Sequence, residues 1–347
     1  MQSPLAHNGI FSIGPEVSQR DIEDLGNNPE TSVIQFSSAL TPSVYDMLEE
    51  IIFSKRPEIL LRIYDSHVNE VDLEFLKQLP SIKRLSIDCV RDVKSIKPIS
   101  NLKKLTALRI GIFDFHSLHW LNDVPDTLKE LHLYQMHSKN ISLDVIRRFQ
   151  DIEYLYIEGQ SKGIEAVQYL KKLEKVALRS ISTKTLNYLS ELPNLWSVDI
   201  KLGGIRNFDA LTTLPNLKYL ELWQVRKLSD LFFISSLAPL QNLFLQSLPN
   251  VEKLPNLAQL KSLRRISLWN MKGLKDFSAC RHAPSLTEFS YVDARGKNPR
   301  DLQPVLDNPS VTAVRCGFGS EKKNIEFENL AKKAGKEKYE WSAFEYV

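Results

Sequence analysis

Thiols and imidazoles are the side chains with the types to do chemistry in this sequence of 347 residues. The three cysteines, Cys89, Cys280 and Cys316, lie far apart and form no Cys-x-x-Cys pair. A cysteine nucleophile needs a partly exposed thiolate with a basic neighbour. The histidines come close in two places, His116-x-x-His119 and His132-x4-His137. A metal site needs a further ligand and a fixed backbone, and Asp114 is the one carboxylate near the first pair. An enzyme working through Cys89, or through a His-pair metal site, is therefore the lesser alternative. There is no Walker-type phosphate loop and no Gly-x-Gly-x-x-Gly, and the chain has only 13 glycines. The sequence thus predicts no catalysis, no metal and no cofactor.

The elements that carry these residues repeat. An apolar-x-x-apolar-x-apolar motif occurs at Ile82, Leu85, Ile87 and again at Leu105, Leu108, Ile110. It returns with starts at Leu128, Ile152, Leu173, Leu195, Leu217, Leu240, Leu263, Leu286 and Val311. Successive starts are 21 to 25 residues apart, mostly 22 or 23. Degenerate units precede these around Leu60–Ile63 and Val33–Phe36. The apolar-x-apolar core of each unit has the alternation of a half-buried strand. A second series of period three follows, as in Val251, Leu254, Leu257, Leu260 and in Leu228, Leu231, Ile234, Leu237. That period fits a tight 3₁₀ return whose side chains eclipse every third residue. One such unit cannot bury its apolar face alone, but a stack can. Within this frame Cys316 takes the last inward strand position and is expected to be buried. Cys280 falls on a period-three core series, and Cys89 lies just past a strand, where it is exposed. Gly203-Gly204 sits in a repeat turn, where glycine costs little.

Eleven units in register resemble the leucine-rich-repeat superfamily, over about four-fifths of the chain. The short period is similar to that of the leucine-rich regulatory subunit of protein phosphatase 1 and of internalin-like bacterial proteins. The resemblance implies an α/β solenoid: an arc with a parallel concave sheet, short 3₁₀ or helical returns and caps at both ends. One departure is clear. The asparagine that many such repeats place three residues after the last strand apolar is replaced here by Val90, Phe113, Met136, Gln160, Ile181, Gly203, Val225, Leu248 and Met271. A mainly apolar turn is expected there.

The organisation that follows is an N-terminal segment with a capping helix over 1–57, the solenoid over 58–318 and a C-terminal cap over 319–347. Thr41-Pro42 reads as N-cap and first helical residue, followed by Val44, Tyr45, Leu48, Ile51 and Ile52 at helical spacing. Residues 1–28 show no pattern. At the other end, Ile325, Phe327, Leu330 and Ala331 predict a helix ending at Gly335, with Trp341, Phe344 and Tyr346 then covering the last strand. A net charge of +3, from 45 basic and 42 acidic residues, gives no global field for nucleic acid or membrane. No run reaches the ~18 apolar residues of a membrane helix, and no signal peptide is apparent at the N-terminus. Sparse cysteines suit a reducing compartment. The expectation is a cytoplasmic protein, a monomer on its own, that binds neither nucleic acid nor membrane.

Side chains alternate across a strand, so residues between the inward apolar ones must line the concave face. Two aromatic groups emerge there: His132, Tyr134, Tyr154 and Tyr156, then Tyr219, Trp223, Phe244 and Trp269 with Glu221 and Arg265 as polar rim. A charged stretch, Lys175, Arg179, Asp199 and Lys201, lies between them. Trp, Tyr and Arg are the types enriched at binding hot spots. The expected function is to hold a folded protein partner (a toxin, an enzyme or a host protein), with inhibition of that partner, as by a bacterial immunity protein or effector-type scaffold, as one form it takes. A regulatory subunit that docks an enzyme is the alternative.

Overall fold

The computed structural model describes residues 6, 7, 9–64 and 70–347. The chain divides into two compact units, Met1–Leu173 and Glu174–Val347.

In the first unit the strands are β1 (Ala6–His7), β2 (Ile10–Ser12), β3 (Val33–Phe36), β4 (Leu60–Tyr64), β5 (Arg84–Val90), β6 (Ala107–Ile112), β7 (Glu130–Leu133) and β8 (Tyr154–Glu158). β1 and β2 pair antiparallel; from β2 to β8 each strand is parallel to the next. Equivalent repeat positions face each other, so Leu85, Leu108, Leu131 and Leu155 form one ladder. Tight 3₁₀ turns such as Lys97–Asn101, His119–Asp123 and Asp144–Arg148 return the chain. Their Ile99, Leu121 and Ile146 are fully buried against the strand ladder.

Residues 10–28, unpatterned in sequence, are structured. Helix α1 (Gln19–Asn27) starts with a capping box between Ser18 and Asp21 and buries Ile22 and Leu25. The expected helix is present as α2 (Pro42–Met47), running on into a wider π turn over Leu48–Phe53, but it is the return between β3 and β4 and not an end cap, since β1, β2 and α1 lie beyond it. Thr41 holds the N-cap position, yet its side chain makes no capping bond. Arg56 ties the two helices together. Its guanidinium donates to the carbonyls of Gly26, Asn28 and Thr31 at 3.2, 2.7 and 3.0 Å, meeting acceptors that a helix end leaves open.

The second unit continues the pattern with β9 (Lys175–Arg179), β10 (Ser197–Lys201), β11 (Tyr219–Trp223), β12 (Asn242–Gln246), β13 (Arg265–Trp269) and β14 (Glu288–Val292). After a short helix α3 (Gln303–Leu306) come β15 (Ala313–Cys316), the longer helix α4 (Glu321–Lys333) and β16 (Glu337–Lys338). These strands are parallel, each to the next. The inward positions from Ile82 to Val314 are at most 3% exposed, which fixes the register, because a one-residue slip would turn all of them outward. Cys316 departs from expectation: it is half-buried and lines a cavity of about 990 Å³ with Trp269, Val292, Phe327, Ala331 and Trp341.

Two local readings need correction. The period-three series Val251–Leu260 is buried as expected, but forms no 3₁₀ turn. Pro255 interrupts it, and extended polyproline-type backbone also has three residues per turn; the period alone does not separate the two. At Gly203 glycine is a requirement rather than a convenience, since an added Cβ would sit 2.4 Å from the Ile181 carbonyl oxygen. The apolar turn that replaces the asparagine ladder is present. Val90, Met136, Ile181, Val225, Leu248 and Met271 are buried, whereas Phe113 is exposed. The buried Gln160 is a polar exception, and its amide donates to the Ser138 carbonyl at 2.8 Å. The residue two places after the last inward strand apolar adopts left-handed backbone in many repeats: Cys89, Gly159, Ser180, Leu202, Gln224, Ser247, Asn270 and Asp293 all have φ between +49° and +76°.

Candidate protein-binding face

In each unit the strands have one face against the core and one face open, and the open face carries the expected binding residues. In unit 1 the aromatic group is assembled around His132. Its ring lies 6.0, 4.8 and 5.5 Å from those of Tyr134, Tyr154 and Tyr156, and Tyr134 lies 5.2 Å from Tyr156. The three tyrosines are half-buried. His132 is only 6% exposed, so it supports the group rather than presenting itself to a partner. Its Nε2 stands 3.0 Å from Glu130. Burial lowers its pKa despite that carboxylate. Burial also works against the Glu130 charge, but His132 and Arg109 (2.7 Å) outweigh it and hold the carboxyl down at about 2. Arg84 adds a longer contact at 3.3 Å. Beside it, Arg62 grips Asp88 through two nitrogens, at 2.8 and 2.6 Å.

In unit 2 the second aromatic group is divided. Phe244 and Trp269 pack at 5.6 Å. Trp223 sits against the Arg179 guanidinium at 5.6 Å. The Tyr219 hydroxyl donates to Glu221 at 2.8 Å. Lys201 bridges Glu221 (3.1 Å) and Asp199 (3.4 Å). Asp199 belongs to the charged stretch between the aromatic groups. Burial and the neighbouring Glu221 charge push its carboxyl up to about 7, against the pull of Lys201. Among the described residues its buried Oδ1 meets no donor.

Arg265 overturns its expected role as exposed rim. It is 8% exposed, bonded to Glu288 at 2.5 Å and covered by the chain's own C-terminal segment. Of the three aromatics expected to cover the last strand, Trp341 does lie against β15, its ring 5.9 Å from the Arg315 guanidinium, whereas Phe344 and Tyr346 do not. From β16 the segment turns back over the open face. Trp341 meets Trp269 at 6.0 Å. Phe344 stacks on Arg264 and Arg265 at 4.7 and 4.9 Å. Tyr346 packs on Trp196 at 4.9 Å and Tyr219 at 6.4 Å. Coverage explains why Asn242 and Arg265, which point away from the core, are nevertheless buried. The aromatic content of the segment was visible in the sequence; its destination was not, because no local pattern encodes a contact between Gln241 and Val347.

The sites first tested for chemistry do not assemble. Among the described residues no group of three His, Cys, Asp or Glu is placed to hold a metal ion. His137 stacks on Phe113 at 5.2 Å. Cys89 is exposed, but burial of its sulfur and the Asp88 charge raise its pKa, the opposite of what a thiolate nucleophile needs. Burial pushes the Cys280 thiol up to about 12 and that of Cys316 upward as well. Among the described residues no helix is long and apolar enough to cross a membrane.

No protein-family model and no curated protein matches the chain. Solved structures do. An internalin of Listeria monocytogenes, inlF, is 17% identical, with 90% of this chain and 86% of that chain covered and a TM-score of 0.56. A leucine-rich-repeat protein of Leptospira interrogans is 16% identical, with 90% of each chain covered and a TM-score of 0.48. Together with the parallel strands and 3₁₀ returns, the likeness to the internalin shows the leucine-rich-repeat solenoid fold.

Proposed function

We propose that this leucine-rich-repeat chain is a non-catalytic interaction module that takes a folded protein partner on the open, concave side of its sheets, occluding or positioning it. The observation that carries the reading is the chemistry of that side. Tyr134, Tyr154 and Tyr156 in unit 1, and Trp223, Phe244 and Trp269 in unit 2, are half-exposed on faces the core does not need. Large aromatic side chains bury much area for little rotamer entropy and dominate interface hot spots. Tyr219, Glu221, Arg179 and Lys201 supply directional polar groups around the second patch, His132 braces the first patch, and Arg265 holds the C-terminal segment beside the second. A fold by itself does not assign function, so the residues bear the weight of this reading.

The test compares baits in extracts of the source cells: the full chain, Tyr134→Ala/Tyr156→Ala, Trp223→Ala/Trp269→Ala, and Lys261→Ala at an exposed position away from both patches. A protein held by the full chain and by Lys261→Ala, but lost from one or both aromatic variants, supports the reading. Calorimetry on that protein should show a loss of about 2 kcal/mol or more per anchor residue. Retention of every captured protein by both folded aromatic variants refutes it.

A further inference from the structure

The C-terminal segment lies on the open face of unit 2 as a bound peptide would. Only Tyr339 in it is buried; Trp341 is 48% exposed and Val347 82%. Beyond β16 it has no secondary structure of its own. Its main chain is held by side chains of the face. Arg265 donates to the Ser342 carbonyl at 3.1 Å, and Arg264 donates to that of Glu345. The Gln241 amide reads both groups of Val347, donating to its carbonyl at 2.7 Å and accepting from its N–H at 3.0 Å. Recognition of that kind is independent of side-chain identity. The aromatic rings at 341, 344 and 346 then drop onto Trp269, the Arg264–Arg265 pair and the Trp196–Tyr219 pair.

The dimensions agree with an extended chain laid across the strands. Three strand spacings from β13 to β10 span ~14 Å, and five extended residues from 341 to 346 reach ~17 Å. Charge agrees as well. The segment carries Glu340 and Glu345, and the face beneath offers Arg264, Arg265 and Arg315, the last 3.8 Å from Glu340.

We propose that this face is a groove for an extended, acidic segment with aromatic residues at i, i+3 and i+5, and that the chain's own residues 339–347 fill it until a partner's segment of that chemistry displaces them. The inference rests on the protein-binding reading above and adds the partner's chemistry and a built-in competitor. Tyr339 is buried and its N–H donates to the Val314 carbonyl at 3.0 Å, but the residues beyond it are exposed or half-exposed, so a segment of similar length can replace their contacts one by one.

The probe is a fluorescent peptide with the sequence of residues 339–347, titrated by anisotropy into the full chain and into Phe344→Ala/Tyr346→Ala, whose own segment is loosened. The loosened variant should bind saturably, with a Kd at least 10-fold below that of the unmodified chain. Adding Arg265→Ala should reverse the gain. Hydrogen exchange on the unmodified chain at saturating peptide supplies a check that does not depend on a variant folding: amides of 339–347 should lose protection. The proposal is overturned if the loosened, folded variant does not bind, if both proteins bind alike, or if those amides stay protected at saturation. Sedimentation showing that the segment is exchanged between two copies also overturns it, by assigning the groove to self-association. If the peptide fails while face substitutions still abolish partner capture, the groove is refuted and the interaction module stands.

Discussion

Asp199 gives the sharpest handle on the electrostatics of the open face. Its side chain is 22% exposed and shares Lys201 with Glu221. Burial and Glu221 move its carboxyl from 3.8 up to about 7. A raised acid keeps a proton in the folded protein at pH values where the unfolded chain has lost it, so stability falls as pH rises from about 4 to 7. Linkage between those two values sets a ceiling on the penalty of about 4 kcal/mol at pH 8 and about 2 kcal/mol at pH 5. Asp199→Asn removes the ionisation, and its amide can donate to Glu221 where the acid supplies a proton. Lys201 retains Glu221 but loses one carboxylate, which offsets part of the gain. The expected result is a stabilisation of about 1–2 kcal/mol at pH 8, falling to less than about 0.5 kcal/mol at pH 5. Urea titrations at the two pH values, read by circular dichroism with unchanged m, measure it. A variant no more stable than the parent at pH 8, or one stabilised equally at both values, refutes the reasoning.

Two further expectations test the fold. Leu220→Ala empties a fully buried ladder position and should cost about 2–5 kcal/mol. Trp223→Ala, on the open face, should cost less than about 1 kcal/mol; calorimetry finding the reverse order would place every strand one residue out of register. Gly203→Ala drives a Cβ into the Ile181 carbonyl and should lower stability by about 1–3 kcal/mol. Gly317→Ala, whose Cβ meets nothing within 4 Å, should change it by less than about 0.5 kcal/mol; equal effects in chemical denaturation would contradict the close approach.

The stack was legible because one rule, an inward apolar residue at the first, fourth and sixth positions, is restated in every repeat from Ile82 to Val314. Burial at each of those positions is what a periodic sequence can encode. The N-terminal strands β1 and β2 and helix α1 lack the rule, and their order comes from contacts such as Arg56 with three distant carbonyls, which have no local signature. On the candidate face the columns identified which side chains point outward, but not which are free. Arg265 and Asn242 read as exposed because alternation says only which way a side chain points. The segment that lies over them arrives from more than 75 residues away. The columns place Asp199 in the charged stretch of the open face but do not single it out, because one carboxylate on a strand is ordinary; it becomes unusual only when Glu221 on the next strand comes alongside it.

A linear stack of repeats ordinarily frays from its ends, since a terminal repeat has one neighbour where an inner one has two. The C-terminal segment of unit 2 changes that geometry. It leaves from β16, returns across β13, β12 and β11, and reaches Trp196 at the start of β10. The last repeat is thereby tethered to repeats several places away, through a contact that closes a loop of 106 residues. Peeling α4 and β15 from the stack requires those cross-links to be released first. Occupancy of the groove therefore governs how this end of the molecule breathes: its outermost repeats open together while the strap is on, and one after another once it is off.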